Sequence, residues 1–128
     1  MNRNPFELSE VRLVIGTFDP SVFKPGRSYV TEISRDGILQ YEKEPGSQKQ
    51  IDKFINRDVS VSDIDNFFRE LFEFSRNISE ESLTIDDCSY TVTFIYSSFH
   101  KEIFKGWCGN ESTCLHNMIK QFVNKCNN

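Results

Sequence analysis

Hydrophobic and polar residues alternate along five stretches of the chain and follow a helical period along two others. The alternation predicts strands, and the period of about 3.6 residues predicts amphipathic helices. After a first strand at Val11–Phe18, one order occurs twice: two strands joined by a turn, then a helix. The first copy runs from Ser28 to a helix near Ser62–Arg76, and the second runs from Ser89 to a helix near Asn110–Lys125.

Turn-forming residues mark the points where the predicted hairpins reverse. Asp36-Gly37 lies between two β-prone runs, and glycine accepts the positive φ that tight hairpin turns require. Ser98-Phe99 is the predicted turn of the second hairpin. A loop rich in turn formers, residues 19–27, joins the first two strands. Residues 47–59 are polar and predict a long loop. A short strand at Ile51–Ile55 is the alternative for part of this loop.

The first helix has the clearest amphipathic pattern. Ser60 or Ser62 can cap it, and Asp63 and Asp65 follow in the first turn, where carboxylates interact favourably with the helix dipole. We interpret its apolar arc as core rather than as the lining of a ligand cavity. That arc consists of Ile64, Phe67, Phe68, Leu71, Phe72 and Phe74. The apolar face of the second helix consists of Leu115, Met118, Ile119, Phe122, Val123 and Cys126.

These elements predict an α+β fold in a single domain, residues 1–128. One antiparallel sheet of about five strands carries two helices on one face, in the order β-ββ-α-ββ-α. The chain of 128 residues is 38% hydrophobic and 27% charged, which is enough to bury one core. No apolar run approaches the roughly 20 residues of a membrane span. Because no apolar signal region follows Met1, we expect a cytoplasmic protein without membrane association.

The residues with reactive side chains form no recognisable catalytic, metal or cofactor motif. Cys114 and His116 project about 160° apart on a helix, so they cannot both reach one metal ion. Cys88 and Cys108 flank the second hairpin and could form a disulfide, although free thiols are expected in a reducing compartment. We therefore predict no enzyme activity, no metal and no cofactor. A cysteine-dependent enzyme using Cys108 and His100 is the more distant alternative.

Negative charge is concentrated in one part of the chain. Residues 63–87 contain eight acidic and two basic residues, a net charge of −6 in a chain whose total is −4. Such a surface repels nucleic acid and can attract a basic protein, and the alternative is a solvated helix face that only keeps the protein soluble. We therefore predict a small module that binds a basic protein partner, as an immunity protein or similar inhibitor does. The residues predicted to contact that partner are Asp65, Glu70, Glu73, Glu80 and Glu81.

A second interpretation is a protein that binds a small ligand or nucleotide on the open face of the sheet. Aromatic side chains near that face would stack on the ligand, and a cation would bind an anionic group. The residues proposed for this role are Arg27, Tyr29, Tyr41 and Trp107. An apolar, concave second face would favour this interpretation, whereas a polar, flat face would favour protein binding.

The first hairpin also resembles a known pattern. The strand Val11–Thr17 is followed by residues 29–41 with the form Tyr-x-x-x-Ile-x-x-Asp-Gly-x-x-x-Tyr. This order resembles a family of small uncharacterised bacterial domains, which continue into a capped helix, a second hairpin and a closing helix. That family usually has cysteines in the first loop, where this chain reads Phe18-Asp19-Pro20-Ser21-Val22-Phe23. The resemblance therefore implies the fold and no activity.

Overall fold

Six strands and two helices make up the part of the chain that the structure describes. The structure is a computed structural model, and it describes residues 7–19, 24–44, 46, 47, 49–77, 88–107 and 115–127. The elements are β1 Leu8–Asp19, β2 Lys24–Ser34, β3 Gly37–Lys43, β4 Gln50–Asn56, α1 Val61–Asn77, β5 Cys88–Tyr96, β6 Lys101–Trp107 and α2 Leu115–Cys126.

The strands form one open antiparallel sheet in the order β4-β3-β2-β1-β5-β6. The predicted α+β architecture is thus confirmed, with six strands in place of about five. The additional strand is β4, which covers the segment predicted as a loop with an optional short strand. Most residues of β4 are exposed, because it is an edge strand. A strand that buries neither face has no need of alternating hydrophobic residues, so its sequence looks like a loop.

The β2–β3 hairpin reverses one residue earlier than the predicted Asp36-Gly37 turn. Ser34 pairs with Gly37, so Arg35 and Asp36 form the two-residue turn and Gly37 is the first residue of β3. Gly37 still needs to be glycine, because its φ is +130°. A Cβ atom at this position would lie 2.2 Å from the carbonyl oxygen of Asn56.

The β5–β6 hairpin has a loop of three residues rather than the predicted two. The amide of Tyr96 donates to the carbonyl of His100 at 2.9 Å, which leaves Ser97, Ser98 and Phe99 outside the ladder. The amide of Phe99 donates to the carbonyl of Tyr96 at 2.8 Å, and Phe99 has a φ of +67°. A type I turn followed by a left-handed residue is the usual geometry of such a loop.

The core lies between one face of the sheet and the two helices. The apolar arc predicted for the first helix is confirmed, since Ile64 and Leu71 are fully buried and Phe72 and Phe74 pack at its margin. His116 is buried as well and stacks on Tyr90 at 4.4 Å between ring centroids, a contact that the hydrophobic pattern did not predict. The buried cluster contains Leu8, Val11, Leu13, Ile33, Ile38, Ile64, Phe67, Phe68, Leu71, Val92, Phe94, Tyr96, Leu115, Ile119 and Val123.

Polar contacts cap the first end of α1 and attach its last turn to the sheet. Of the two predicted caps, Ser60 accepts a hydrogen bond from the amide of Asp63 at 3.2 Å. At the other end, the Arg76 guanidinium donates to both carboxylate oxygens of Glu102 and to the hydroxyl of Tyr96. The Tyr96 hydroxyl in turn donates to Glu102 at 2.7 Å. These bonds hold the last turn of α1 against the β5–β6 hairpin.

Protonation of Glu102 is expected to loosen this end of the helix. The hydrogen bond from Arg76 lowers the pKa of Glu102, and burial raises the pKa of Tyr96 to about 12, so Tyr96 remains a donor. Because the pKa of Glu102 is lower in the folded chain than its unfolded value near 4.5, the ionised carboxylate stabilises the fold at pH values above 4.5. That stabilisation is lost as the pH falls through the folded-state pKa. Because Arg76 is 44% exposed and screened by solvent, we expect Glu102→Gln to cost only about 1 kcal/mol at pH 7.

Urea denaturation at several pH values measures this effect. The difference in unfolding free energy between wild type and Glu102→Gln should shrink steadily below about pH 4.5. Glu44→Gln is a suitable control, because Glu44 is 54% exposed and lies 3.7 Å from the nearest nitrogen of Arg27. A difference for Glu102→Gln that stays constant down to pH 3 would show that the ion pair does not stabilise the fold.

Candidate partner-binding groove

A groove runs between α1 and α2, beside the end of β4. Its floor is aromatic: the rings of Phe67 and Phe122 stack in parallel with centroids 4.0 Å apart. The groove encloses a volume of about 460 Å³. Cys126, near the C-terminal end of α2, lies close enough to Asp63 in the first turn of α1 for that charge to affect its pKa. The C-terminal end of α2 therefore lies beside the N-terminal part of α1 at the groove.

Carboxylates dominate the rim of this groove. Asp58, Asp63 and Glu70 line it, and Lys125 is the one cationic side chain among its lining residues. Asp63 and Glu70 are exposed. The groove therefore combines an apolar floor with a net negative rim, which is an arrangement complementary to an amphipathic cation.

The acidic residues of α1 do not all face the groove. Asp63, Asn66 and Glu70 follow the spacing i, i+3, i+7 and line it, whereas Glu73, one turn beyond Glu70, is exposed and is not among the lining residues. A second row, on another side of the helix, consists of Asp65, Arg69, Phe72 and Arg76. Within it, Arg76 lies 4.5 Å from the ring centroid of Phe72. Two of the four acidic residues of α1, Asp63 and Glu70, thus lie at the groove beside α2.

This separation changes the predicted set of partner-binding residues. Glu70 lines the groove, and Glu73 is exposed one turn further along α1. Asp65 lies on the other side, where Arg35 donates to its carboxylate at 2.8 Å and also to the carbonyl of Leu8 at 2.9 Å. Glu80 and Glu81 lie outside the described residues. Asp63, which the sequence placed only as a helix-dipole carboxylate, joins the groove because of its spacing to Glu70.

The residues of the small-ligand interpretation do not come together on one face. Tyr29 pairs with Glu42 and Tyr41 pairs with Val30, and successive strand residues point to opposite faces of the sheet. Tyr29 is 44% exposed on the helix side, whereas Tyr41 is 7% exposed on the opposite face. Arg27 is ion-paired with Glu42 at 3.5 Å. The side chain of Trp107 lies outside the described part of the chain.

The face of the sheet opposite the helices is polar at its centre. Arg12 forms an ion pair with Glu32 at 2.7 Å and approaches Glu10 at 3.6 Å. Burial raises the pKa of Glu10, and burial together with the charge of Glu32 raises the pKa of Tyr41. Polarity is one of the two features, with flatness, that would favour protein binding over a small ligand.

Among the cysteines, the structure describes the side chain of Cys126. Burial and the charge of Asp63 raise the pKa of the Cys126 thiol, which keeps it protonated and weakly nucleophilic. Cys108 and Cys114 lie outside the described part, as does the disulfide considered for Cys108. In the described ranges, no three His, Cys, Asp or Glu side chains could hold a metal ion, and no helix is long and apolar enough to cross a membrane.

No model of a known protein family matches the chain, and no curated protein matches it either. The resemblance to small bacterial α+β domains therefore stays a prediction, and any function must be argued from the residues themselves.

Proposed function

We propose that this protein is a binding module that engages a basic partner protein through the groove between α1 and α2. A lysine or arginine side chain of the partner would extend across the stacked rings of Phe67 and Phe122. Its charged end would meet the carboxylates of Asp63 and Glu70. By covering a functional cationic site of the partner, the module would act as an inhibitor, in the manner of an immunity protein.

The combination of an aromatic floor with a carboxylate rim is the observation that supports this proposal. Long basic side chains bury their methylene groups on apolar surfaces and keep the charge near water or a counter-ion. Aromatic rings add an attraction for the cation of about 0.5–1 kcal/mol at exposed sites. Neither the floor nor the rim alone would select a lysine or an arginine, but together they favour it over neutral and acidic side chains.

The row of acidic residues along α1 would also affect the rate of association. Glu73 continues the row one turn beyond Glu70, and the chain as a whole has a net charge of −4. A concentrated field of one sign steers an oppositely charged protein toward the surface and makes association sensitive to ionic strength. A basic partner should therefore bind faster at low salt than at high salt.

Reversing the charges of Glu70 and Glu73 is expected to weaken binding of the basic partner strongly. We expect Glu70→Lys combined with Glu73→Lys to weaken binding at least about a hundredfold, because close like charges across an interface cost several kcal/mol. A matched control is Asp36→Lys combined with Glu44→Lys. Both control positions are exposed and neither lines the groove, yet the total charge changes by the same amount.

Affinity capture on the immobilised protein tests this expectation. Some proteins should bind to wild type and to the control, be released by salt, and fail to bind to the groove variant. We expect these proteins to have basic isoelectric points. Purified partner and surface plasmon resonance would then give the association rate at several salt concentrations. If the groove variant and the control retain the same proteins, the groove is not the binding site.

A further inference from the structure

The tip of the β5–β6 hairpin presents an aromatic ring to solvent. Phe99 is 86% exposed, the highest exposure among the large hydrophobic residues in the described part of the chain. The next two residues, His100 and Lys101, are also exposed. The tip thus offers an exposed ring on the turn and, two residues later, an exposed cation at Lys101, the first residue of β6.

The backbone conformation at Phe99 makes this residue unfavourable for folding. Its φ of +67° lies in the left-handed region, which glycine and asparagine adopt readily and bulky side chains avoid. An exposed ring gains little packing to offset that strain. A loop optimised only for stability would have glycine or asparagine here, so the ring is best explained by a contact outside its own molecule.

The tip is rigid as well as exposed. The amide and the hydroxyl of Ser97 both donate to the carbonyl of Glu7, at 2.8 and 3.2 Å. The hydrogen bonds between Tyr96 and His100 and between Phe99 and Tyr96 close the turn. An aromatic ring on a fixed turn loses little conformational entropy on binding, as is typical of anchor residues in interfaces.

We propose that Phe99 and Lys101 of one molecule dock into the α1–α2 groove of a second copy of this chain. The complementarity is direct: Phe99 would pack on the rings of Phe67 and Phe122, and Lys101 would reach the carboxylate of Glu70. The occupant is another copy because this chain itself carries an exposed ring and a cation that complement the aromatic floor and the carboxylates of the groove. The tip lies beside the β6 edge and the groove beside the opposite edge, β4. One molecule therefore cannot fill its own groove.

This contact would regulate the site described above. The inference rests on the proposed function of the groove, because the hairpin tip occupies the same floor and rim as a basic partner. Copies that associate at high protein concentration would cover each other's grooves. A basic partner would compete with the tip, so binding the partner would dissociate the assembly.

Sedimentation velocity over a range of protein concentrations tests the proposal, first with wild type and two single-site variants. Wild type should associate as its concentration rises, and Phe99→Asn should weaken that association at least about tenfold. The same substitution should raise the midpoint of thermal unfolding by about 2–4 °C, because asparagine tolerates the left-handed conformation. Phe54→Ala removes another exposed ring, 50% exposed on β4, and should leave association unchanged.

A charge exchange tests the pairing itself. Lys101→Glu and Glu70→Lys should each weaken self-association, and a mixture of the two variants should restore it, because the altered tip then fits the altered groove. A monomeric wild type at every soluble concentration would overturn the proposal, as would association that persists in Phe99→Asn. Phe99→Asn should still bind the basic partner, so failure of self-association is distinguishable from failure of the proposed function.

Discussion

Replacing Gly37 with alanine is expected to lower the free energy of unfolding by about 3 kcal/mol or more. Two costs act together at this position. The φ of +130° is a conformation that residues with a Cβ atom rarely adopt. In addition, the new Cβ atom would lie 2.2 Å from the carbonyl oxygen of Asn56 and 3.1 Å from the Cα atom of Arg57. Backbone atoms cannot rotate away as a flexible side chain can, so the strand itself must move.

The displaced strand would affect more than the hairpin. The side-chain amide of Asn56 donates to the carbonyl of Cys126 at 3.2 Å and to the side chain of Asn127 at 2.9 Å. Asn127 also donates to the side chain of Gln40 on β3. The close approach at Gly37 therefore positions the bonds that fix the C-terminal end of α2, which forms one wall of the groove.

Gly46→Ala separates the two costs. Gly46 also has a positive φ, +73°, but a Cβ atom there would meet nothing within 4 Å. We expect this control to cost about 1 kcal/mol from backbone strain alone. Urea denaturation of both variants gives the comparison. Equal losses of unfolding free energy at Gly37 and Gly46 would show that the contact between the new Cβ atom and the carbonyl oxygen of Asn56 is relieved without cost.

The sequence was sufficient to predict the elements that bury one side. Alternation in β5 and the apolar arc of α1 each follow from the geometry of a strand or helix against a core, and both are confirmed. The arc included Phe72 and Phe74 without distinction, and the structure shows that these two pack partly buried at its margin. Burial imposes a period on the sequence, so a buried face can be recognised without knowing its partner.

Features that depend on distant contacts could not be predicted in this way. Gly37 was recognised as a turn residue, but its contact with Asn56 arises from the pairing of β3 with β4, which the polar sequence of β4 concealed. Likewise, the acidic residues of α1 formed one group in the sequence. Which of them lie beside α2 depends on how the helices pack, and that packing separates Glu70 from Asp65.

Replacing Phe94 with alanine is expected to have the second large effect, a loss of about 3–5 kcal/mol of unfolding free energy. Phe94 is 0% exposed, belongs to the buried cluster, and its ring centroid lies 5.0 Å from that of Phe104. It is also on β5, which pairs with the central strand β1 through Val11. Removing the ring leaves a cavity between the sheet and the helices that close-packed neighbours can fill only partly.

Phe54→Ala provides the matched control, since it removes the same atoms from a ring that is 50% exposed on the edge strand β4. We expect it to cost less than about 1.5 kcal/mol, because half of the ring's surface is already in water. The losses of unfolding free energy measured by chemical denaturation should therefore differ by several kcal/mol, although both variants replace phenylalanine with alanine. Similar losses would mean that the rings contribute through local strand preference and not through burial. Since the groove floor is built on the same core, Phe94→Ala should also weaken binding at the groove, whereas Phe54→Ala should not.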